Sequence, residues 1–329
     1  MSTEPTQPLP NPPFYTIPNI NNLRDASISL TTTSGSSIRP RILFRSAEVS
    51  KLDFAGWQAV HSLGVSHVFD LRSKPEVDKG WAGIVGKDAS GDGDDDVRPG
   101  WLQAMEQAGV ARSWVPVFEE SDYSPERLAE RYSKYMDEAV TGFVDAYRDI
   151  LANGGSAFGN VLKYLAAITA VGALVHCTAG KDRTGMFFGL LFDFLGVPRE
   201  QIADEYQLTE LGLAHVRDEV VARLMQSPGF NKYMLASMEG TKLSVEDIAT
   251  SLKGEERQVQ VQVPPEVLEK GRQAALRMIG ARKESMLRSL EMLDEVFGGA
   301  ERYLKEKCGL SDHELDALRR NLLVEGQAV

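Results

Sequence analysis

Cysteine is nearly absent: Cys177 and Cys308 are the two in a chain of 329 residues. Two thiols build neither a disulfide framework nor an all-Cys zinc site, and reduced thiols are expected, as in a cytoplasmic protein. A basic surplus is missing too. The 36 Lys and Arg are outnumbered by 47 Asp and Glu, leaving a formal charge of −11. That balance argues against a general nucleic-acid binder, because a phosphate backbone rewards a basic face, and against a polybasic membrane anchor. Long apolar runs are lacking as well. The longest uncharged stretch, Tyr164 to Gly180, is short for a membrane span and contains His176, so no transmembrane segment is expected. The opening MSTEPTQPLPNPP carries five prolines and no apolar core, and does not read as a secretory signal.

What remains is ordinary globular composition, 43% hydrophobic and 25% charged, with enough chain for one large domain or two small ones. Residues 1–13 read as a disordered, Pro-rich tail and 14–329 as a single domain. Ile42–Phe44, Val65–Leu71, Ser113–Phe118 and Ala173–His176 read as strands. Helices are expected near 51–63, from 125 to 151 and from 158 to 170. The Gly- and Asp-rich stretch 79–100 reads as a loop insertion, and from about Arg199 the chain is helical by periodicity. Gly309 is expected to stop one helix, and Ser311 to Glu314 to cap the last. Strands alternating with helices predict an α/β fold, with a central, mostly parallel sheet flanked by helices and a helical C-terminal extension.

The chemistry concentrates in His176-Cys177-Thr178-Ala179-Gly180-Lys181-Asp182-Arg183-Thr184-Gly185. An apolar strand ends at His176 and an apolar helix follows the loop. The N-terminus of a helix gathers unpaired N–H groups and partial positive charge, so a short loop wrapped there can cradle a phosphate. On this reading Thr178, Ala179, Gly180, Lys181, Asp182 and Arg183 bind phosphate, with Arg183 supplying a bidentate fork. The same field favours a thiolate at Cys177. Cysteine, cradle and arginine at this spacing point to phosphoryl transfer through a cysteinyl-phosphate, with no metal or other cofactor. Rival motifs fail: a Walker A loop would need glycine where Val175 stands and Ser or Thr where Asp182 stands, and the acidic run from Asp92 lacks a calcium loop's glycine at Val97 and glutamate at Gln103.

HCTAGKDRTG resembles the Cys-x5-Arg loop of the protein tyrosine phosphatase superfamily, in particular its atypical bacterial and fungal tyrosine/serine branch. Leu43-Phe44-Arg45-Ser46, Asp70-Leu71-Arg72-Ser73 and Gly196-Val197-Pro198 carry the resemblance further along the chain. It implies a phosphatase-type fold and hydrolysis of phosphotyrosine, extending to phosphoserine and phosphothreonine. Phosphoinositides or inositol polyphosphates are the alternative, because Lys181 offers a second cation. A non-catalytic phosphate-binding module is a second alternative.

The resemblance also implies that the Thr184 hydroxyl helps the cysteine leave. Its usual Trp-Pro-Asp acid is missing, and Asp182 is preferred as general acid, ahead of Asp70 and then Glu119 and Asp122. His176 and Arg45 are supporting candidates, the latter for lining the pocket or holding a carboxylate. The expected partner is a phosphoprotein or phosphoinositide, not nucleic acid, and oligomeric state stays open. The helical stretch Leu211 to Ser289 reads mainly as core, with part of it a candidate cover hinged at Gly271 and Gly280.

Overall fold

The computed structural model describes residues 8–80, 97–137, 139–167, 171–239, 244–253 and 263–325. Its first half comprises β1 (Arg24–Asp25), β2 (Ser37–Ile38), β3 (Leu43–Ser46), α1 (Phe54–Ser62), β4 (Val65–Asp70), α2 (Lys74–Lys79), α3 (Trp101–Gln107) and β5 (Ala111–Trp114). Then come α4 (Pro125–Met136), α5 (Val140–Ala166), β6 (Gly172–His176) and α6 (Asp182–Phe194). The C-terminal part holds α7 (Arg199–Gln207), α8 (Thr209–Gly212), α9 (Arg217–Met225), α10 (Pro228–Glu239), α11 (Val245–Leu252), α12 (Pro265–Ile279), α13 (Lys283–Phe297), α14 (Ala300–Glu306), α15 (Asp312–Leu322) and β7 (Leu323–Val324).

The main sheet runs β1-β3-β6-β4-β5, with β1 antiparallel to β3 and the other neighbours parallel. This is the α/β architecture expected. β6 is buried along its whole length, as a central parallel strand covered on both faces must be. Side chains alternate between two cores: Leu43, Phe69, Ala173 and Val175 face the α5–α6 side, while Phe44, Val68 and Leu174 face Trp57 and Val60 of α1. A third cluster, including Tyr132, Leu224, Phe230 and Ile248, joins α4 to α9, α10 and α11. Ser46 and Asp70 both pair with His176, so three parallel strands end level and open their carboxyl edge together. Ligands of open α/β sheets bind at that edge.

Several boundaries differ from expectation for local reasons. The helix expected over 125–151 breaks after Met136, where the Asp137 carboxylate accepts the Ala139 N–H and competes with helical bonding. The helix expected at 158–170 is instead the second half of α5, which passes through Gly154 and Gly155 without a break. A Cβ at Gly155 would lie 2.5 Å from the Lys307 carbonyl oxygen, so this glycine permits packing rather than ending the helix. The strand expected at 113–118 is β5, four residues earlier in its end; Pro116 has no N–H to extend the ladder. Residues 81–96 of the expected acidic insertion, and 1–7 of the expected tail, lie outside the described residues. Pro10 and Pro13 are tied in: their carbonyls accept the N–H groups of Phe14 and Asp25, each at 3.1 Å.

Candidate active site

The phosphate-loop sequence leaves the end of β6 and turns directly into α6. Its carbonyls are pulled outward. Glu48 N–H donates to the Thr178 oxygen at 2.9 Å, Asn22 Nδ2 to those of Ala179 and Gly180 at 3.2 and 3.3 Å, and Arg45 Nη2 to that of Gly180 at 2.7 Å. Among the described residues no protein acceptor takes the N–H groups of Thr178 to Lys181. A loop with carbonyls bound behind it and N–H groups free in front is a nest for an anion at a helix N-terminus. Gly180 makes the turn possible: its φ is +63°, and a Cβ there would stand 2.1 Å from the Ser46 oxygen.

Arg45 is fully buried, stacked 5.3 Å over Phe188, and ion-paired to Glu205 at 2.6 Å. Glu205 also accepts from Arg24 at 2.8 Å, and Arg24 in turn donates to Asn22. One buried network therefore ties β1, β3 and α7 to the back of the loop. Arg45 does not line the cavity; it positions the Gly180 carbonyl.

Cys177 is 2% exposed at the cavity floor. Arg183 sits beside it, held by Glu76 of α2 through two bonds of 2.6 Å. Glu76 is 2% exposed and also accepts from Ser73 N–H at 2.9 Å, Thr178 Oγ1 at 2.5 Å and the Tyr123 hydroxyl. The Arg183 charge and these donors outweigh the burial penalty and lower its carboxyl from 4.5 to about 2. Glu76 was not foreseen, although Ser73-Lys74-Pro75-Glu76 is a capping box with proline in the first turn, and that signal marks α2.

Asp182 lines the cavity; its Oδ1 accepts from the Tyr147 hydroxyl at 2.9 Å and lies 3.2 Å from Lys181 Nζ. Burial, then the Asp182 carboxylate, hold the Tyr147 hydroxyl well above the usual tyrosine range, so it stays protonated. The Lys181 ammonium is directed away from a second phosphate: it donates to the Met278 and Gly280 carbonyls at the end of α12 and lies 5.5 and 5.1 Å from the Tyr135 and Phe143 ring centres. Asp70 is sealed from the cavity by Arg72 and Arg112, each at 2.8 Å, and its carboxyl is held far below the usual range despite its burial. A proton donor cannot be made of such a group. Glu119 and Asp122 do not line the cavity; Asp122 accepts the Glu119 N–H at 2.9 Å.

His176 is buried with Nδ1 3.0 Å from the Cys177 carbonyl and Nε2 3.6 Å from Asp70. Burial lowers its pKa to about 4, so the ring is neutral near pH 7. The Thr184 hydroxyl is fully buried in the first turn of α6, with no hydrogen-bond partner among the described residues. Burial pushes the Cys308 thiol up to about 12, which leaves it a packing residue. The cavity holds about 480 Å³ and its wall includes Leu213, Val220 and Leu224 before α10, and Met278 and Ile279 at the end of α12. Part of the helical stretch expected as core, with a candidate cover within it, thus lines the site. Gly271, expected as a hinge, lies inside α12 against Met234.

A cysteine at the carboxyl end of a central parallel strand, a loop of outward carbonyls and an arginine at the mouth of the next helix together make a site suited to an anion. The chain belongs to the tyrosine phosphatase family, whose model matches residues 15–324. The triple specificity protein phosphatase PtpB of Mycobacterium tuberculosis is 28% identical over 319 residues, covering 93% of this chain and 98% of that protein. A tyrosine-protein phosphatase of Nostoc commune is 28% identical over 169 residues, covering 50% of this chain and 47% of its own length. The protein is accordingly a phosphoric monoester hydrolase of the tyrosine phosphatase type. Among the described residues, no helix is long and apolar enough to cross a membrane.

Proposed function

We propose that this phosphatase, one domain from about residue 14, is a cytoplasmic enzyme working through a cysteinyl-phosphate, with phosphotyrosine as its main substrate and phosphoserine and phosphothreonine as further ones. The observation that carries the reading is Cys177 lying under a nest of free loop N–H groups with Arg183 fixed beside it. Cys177 Sγ forms a bond to phosphorus while the bond from phosphorus to the leaving oxygen breaks. The loop amides and Arg183 hold the equatorial oxygens as charge shifts among them. Asp182 gives its proton to the leaving oxygen; of the carboxylates named from sequence it is the one on the cavity wall. Water then attacks phosphorus, the S–P bond breaks, and the water's proton returns to Asp182. The buried Thr184 hydroxyl, without a partner, is free to stabilise the departing thiolate. Both cysteines are free, which fits a reducing compartment. The breadth of substrate is supported by the similarity to the triple specificity protein phosphatase of Mycobacterium tuberculosis.

The test is chelator-independent turnover of p-nitrophenyl phosphate under reducing conditions by wild type, Cys177→Ser and Asp182→Asn. Cys177→Ser should be inactive, and activity retained in it refutes the mechanism. Asp182→Asn should lose far more rate on phenyl phosphate than on p-nitrophenyl phosphate, whose leaving oxygen needs little protonation. Equal losses on both would remove Asp182 from the role of acid.

A further inference from the structure

Arg131 is a cavity-lining cation that this mechanism does not use. It lies on α4 three residues after Leu128 and four before Tyr135, on the buried face of that helix. Its guanidinium carbon lies 4.3 Å from the Phe118 ring centre and 5.0 Å from that of Tyr123. Among the described residues no carboxylate pairs with it. The nearby acids are engaged elsewhere: Glu130 with Arg127, Glu76 with Arg183, and Asp122 with the Glu119 N–H. Stacking on two rings orients the planar fork in advance and leaves its N–H edge for an anion. Tyr123 links this fork to the phosphate loop: its ring lies under Arg131 and its hydroxyl is 3.4 Å from Arg183 Nη1. Two guanidinium groups therefore stand one tyrosine apart along the same cavity wall.

We propose that Arg131 forms a second anion subsite, which binds an acidic group next to the phosphotyrosine of a peptide substrate: a carboxylate side chain or a second phosphate. The inference rests on the phosphatase reading of the same cavity and names the feature of the substrate that it selects. A peptide fits this wall better than a polyhydroxylated headgroup does, because Tyr135, Met278 and Ile279 offer apolar surface to a tyrosyl ring, whereas sugar hydroxyls would lose water there without gaining partners.

The experiment compares kcat/KM of the full chain on p-nitrophenyl phosphate and on phosphotyrosine peptides flanked by alanine, aspartate, phosphoserine or lysine. Wild type should favour an acidic flank about tenfold at low salt, less as salt rises. In Arg131→Gln that preference should fall close to one, with the loss on acidic peptides far exceeding the loss on p-nitrophenyl phosphate. Arg131→Glu should turn the preference toward the lysine-flanked peptide, which no merely structural role would produce. The aspartate and phosphoserine arms tell which acidic group is preferred. A wild type indifferent to flanking charge, or equal losses on every substrate in both variants, overturns the proposal. So does a soluble inositol polyphosphate that outcompetes the acidic peptides and depends on Arg131 as they were expected to. Absence of any turnover by wild type would instead count against the phosphatase reading. Binding of the same peptides to Cys177→Ser reads the subsite independently of turnover, and equal affinities for acidic and alanine flanks would overturn it there.

Discussion

Replacing Glu76 with glutamine removes one negative charge from beneath Arg183 while nearly preserving volume. The native carboxylate takes five donors, two of them the Arg183 fork, at 2% exposure. Breaking a buried pair from one side costs about 3–5 kcal/mol, because the partner charge is left without compensation. The electrostatics of the site give a second route to the size: a shift from 4.5 to about 2 corresponds to about 3 kcal/mol. A lowered carboxyl pKa means that the unfolded chain binds the proton more readily than the folded one. The contribution is therefore complete above 4.5 and is lost as pH falls through about 2. Urea unfolding of wild type and Glu76→Gln, followed by tryptophan fluorescence from pH 7 to pH 3, measures it. Wild type should lead by about 3 kcal/mol at neutral pH, and by less than half of that near pH 3. Turnover should fall as well, since an unanchored Arg183 is displaced from the phosphate; a misplacement of ~1 Å costs about a hundredfold. An undiminished lead at pH 3, or equal stability at pH 7, would refute the assignment of Glu76 as the anchor.

Gly180→Ala puts a Cβ against the Ser46 oxygen in a left-handed backbone, so a loss of more than about 2 kcal/mol in unfolding free energy is expected, together with loss of phosphate-analogue binding by calorimetry. Arg45→Met releases the Gly180 carbonyl and leaves Glu205 with Arg24 alone; kcat/KM should drop about a hundredfold while the far-ultraviolet circular dichroism stays native. His176, held neutral with a pKa near 4, binds its proton less readily folded than unfolded, so stability should decline as pH falls from about 6.5 toward 4. His176→Asn should flatten that part of the stability curve, and an unchanged slope would remove His176 as its source.

The place of the loop between β6 and α6 was legible because it lies within consecutive residues: the Cys177-to-Arg183 spacing needs no tertiary information. Its supports were not. Glu76 is separated from Arg183 by 107 positions, Arg45 from Gly180 by 135 and Asn22 from Gly180 by 158. A carboxylate that anchors a cavity-lining arginine looks the same in a sequence as one that caps a helix, and Glu76 does both. Lys181 shows the converse: a cation inside a phosphate loop invites a phosphate-binding role, yet its ammonium reaches the end of α12, a helix whose approach no local pattern specifies. The strands and the alternation of elements could be read from periodicity. The break after Met136 and the continuity through Gly155 could not, because they depend on one side chain and one distant carbonyl, whereas the start of α15 could, from the Ser311–Glu314 capping box.

The Arg24–Glu205–Arg45 network also bears on the order in which the molecule becomes active. Arg24 belongs to the first strand, Glu205 lies 181 positions later, and both must dock before the Gly180 carbonyl is held. Contacts between segments so far apart carry the loop-closure cost that slows folding. On the ribosome, β3, β4 and β6 can associate while Glu205, the carboxylate that pairs with Arg24 and Arg45, is still unsynthesised. Catalytic competence should therefore arrive late, after α7 emerges and docks, so that recovery of turnover lags recovery of helical signal in a refolding time course.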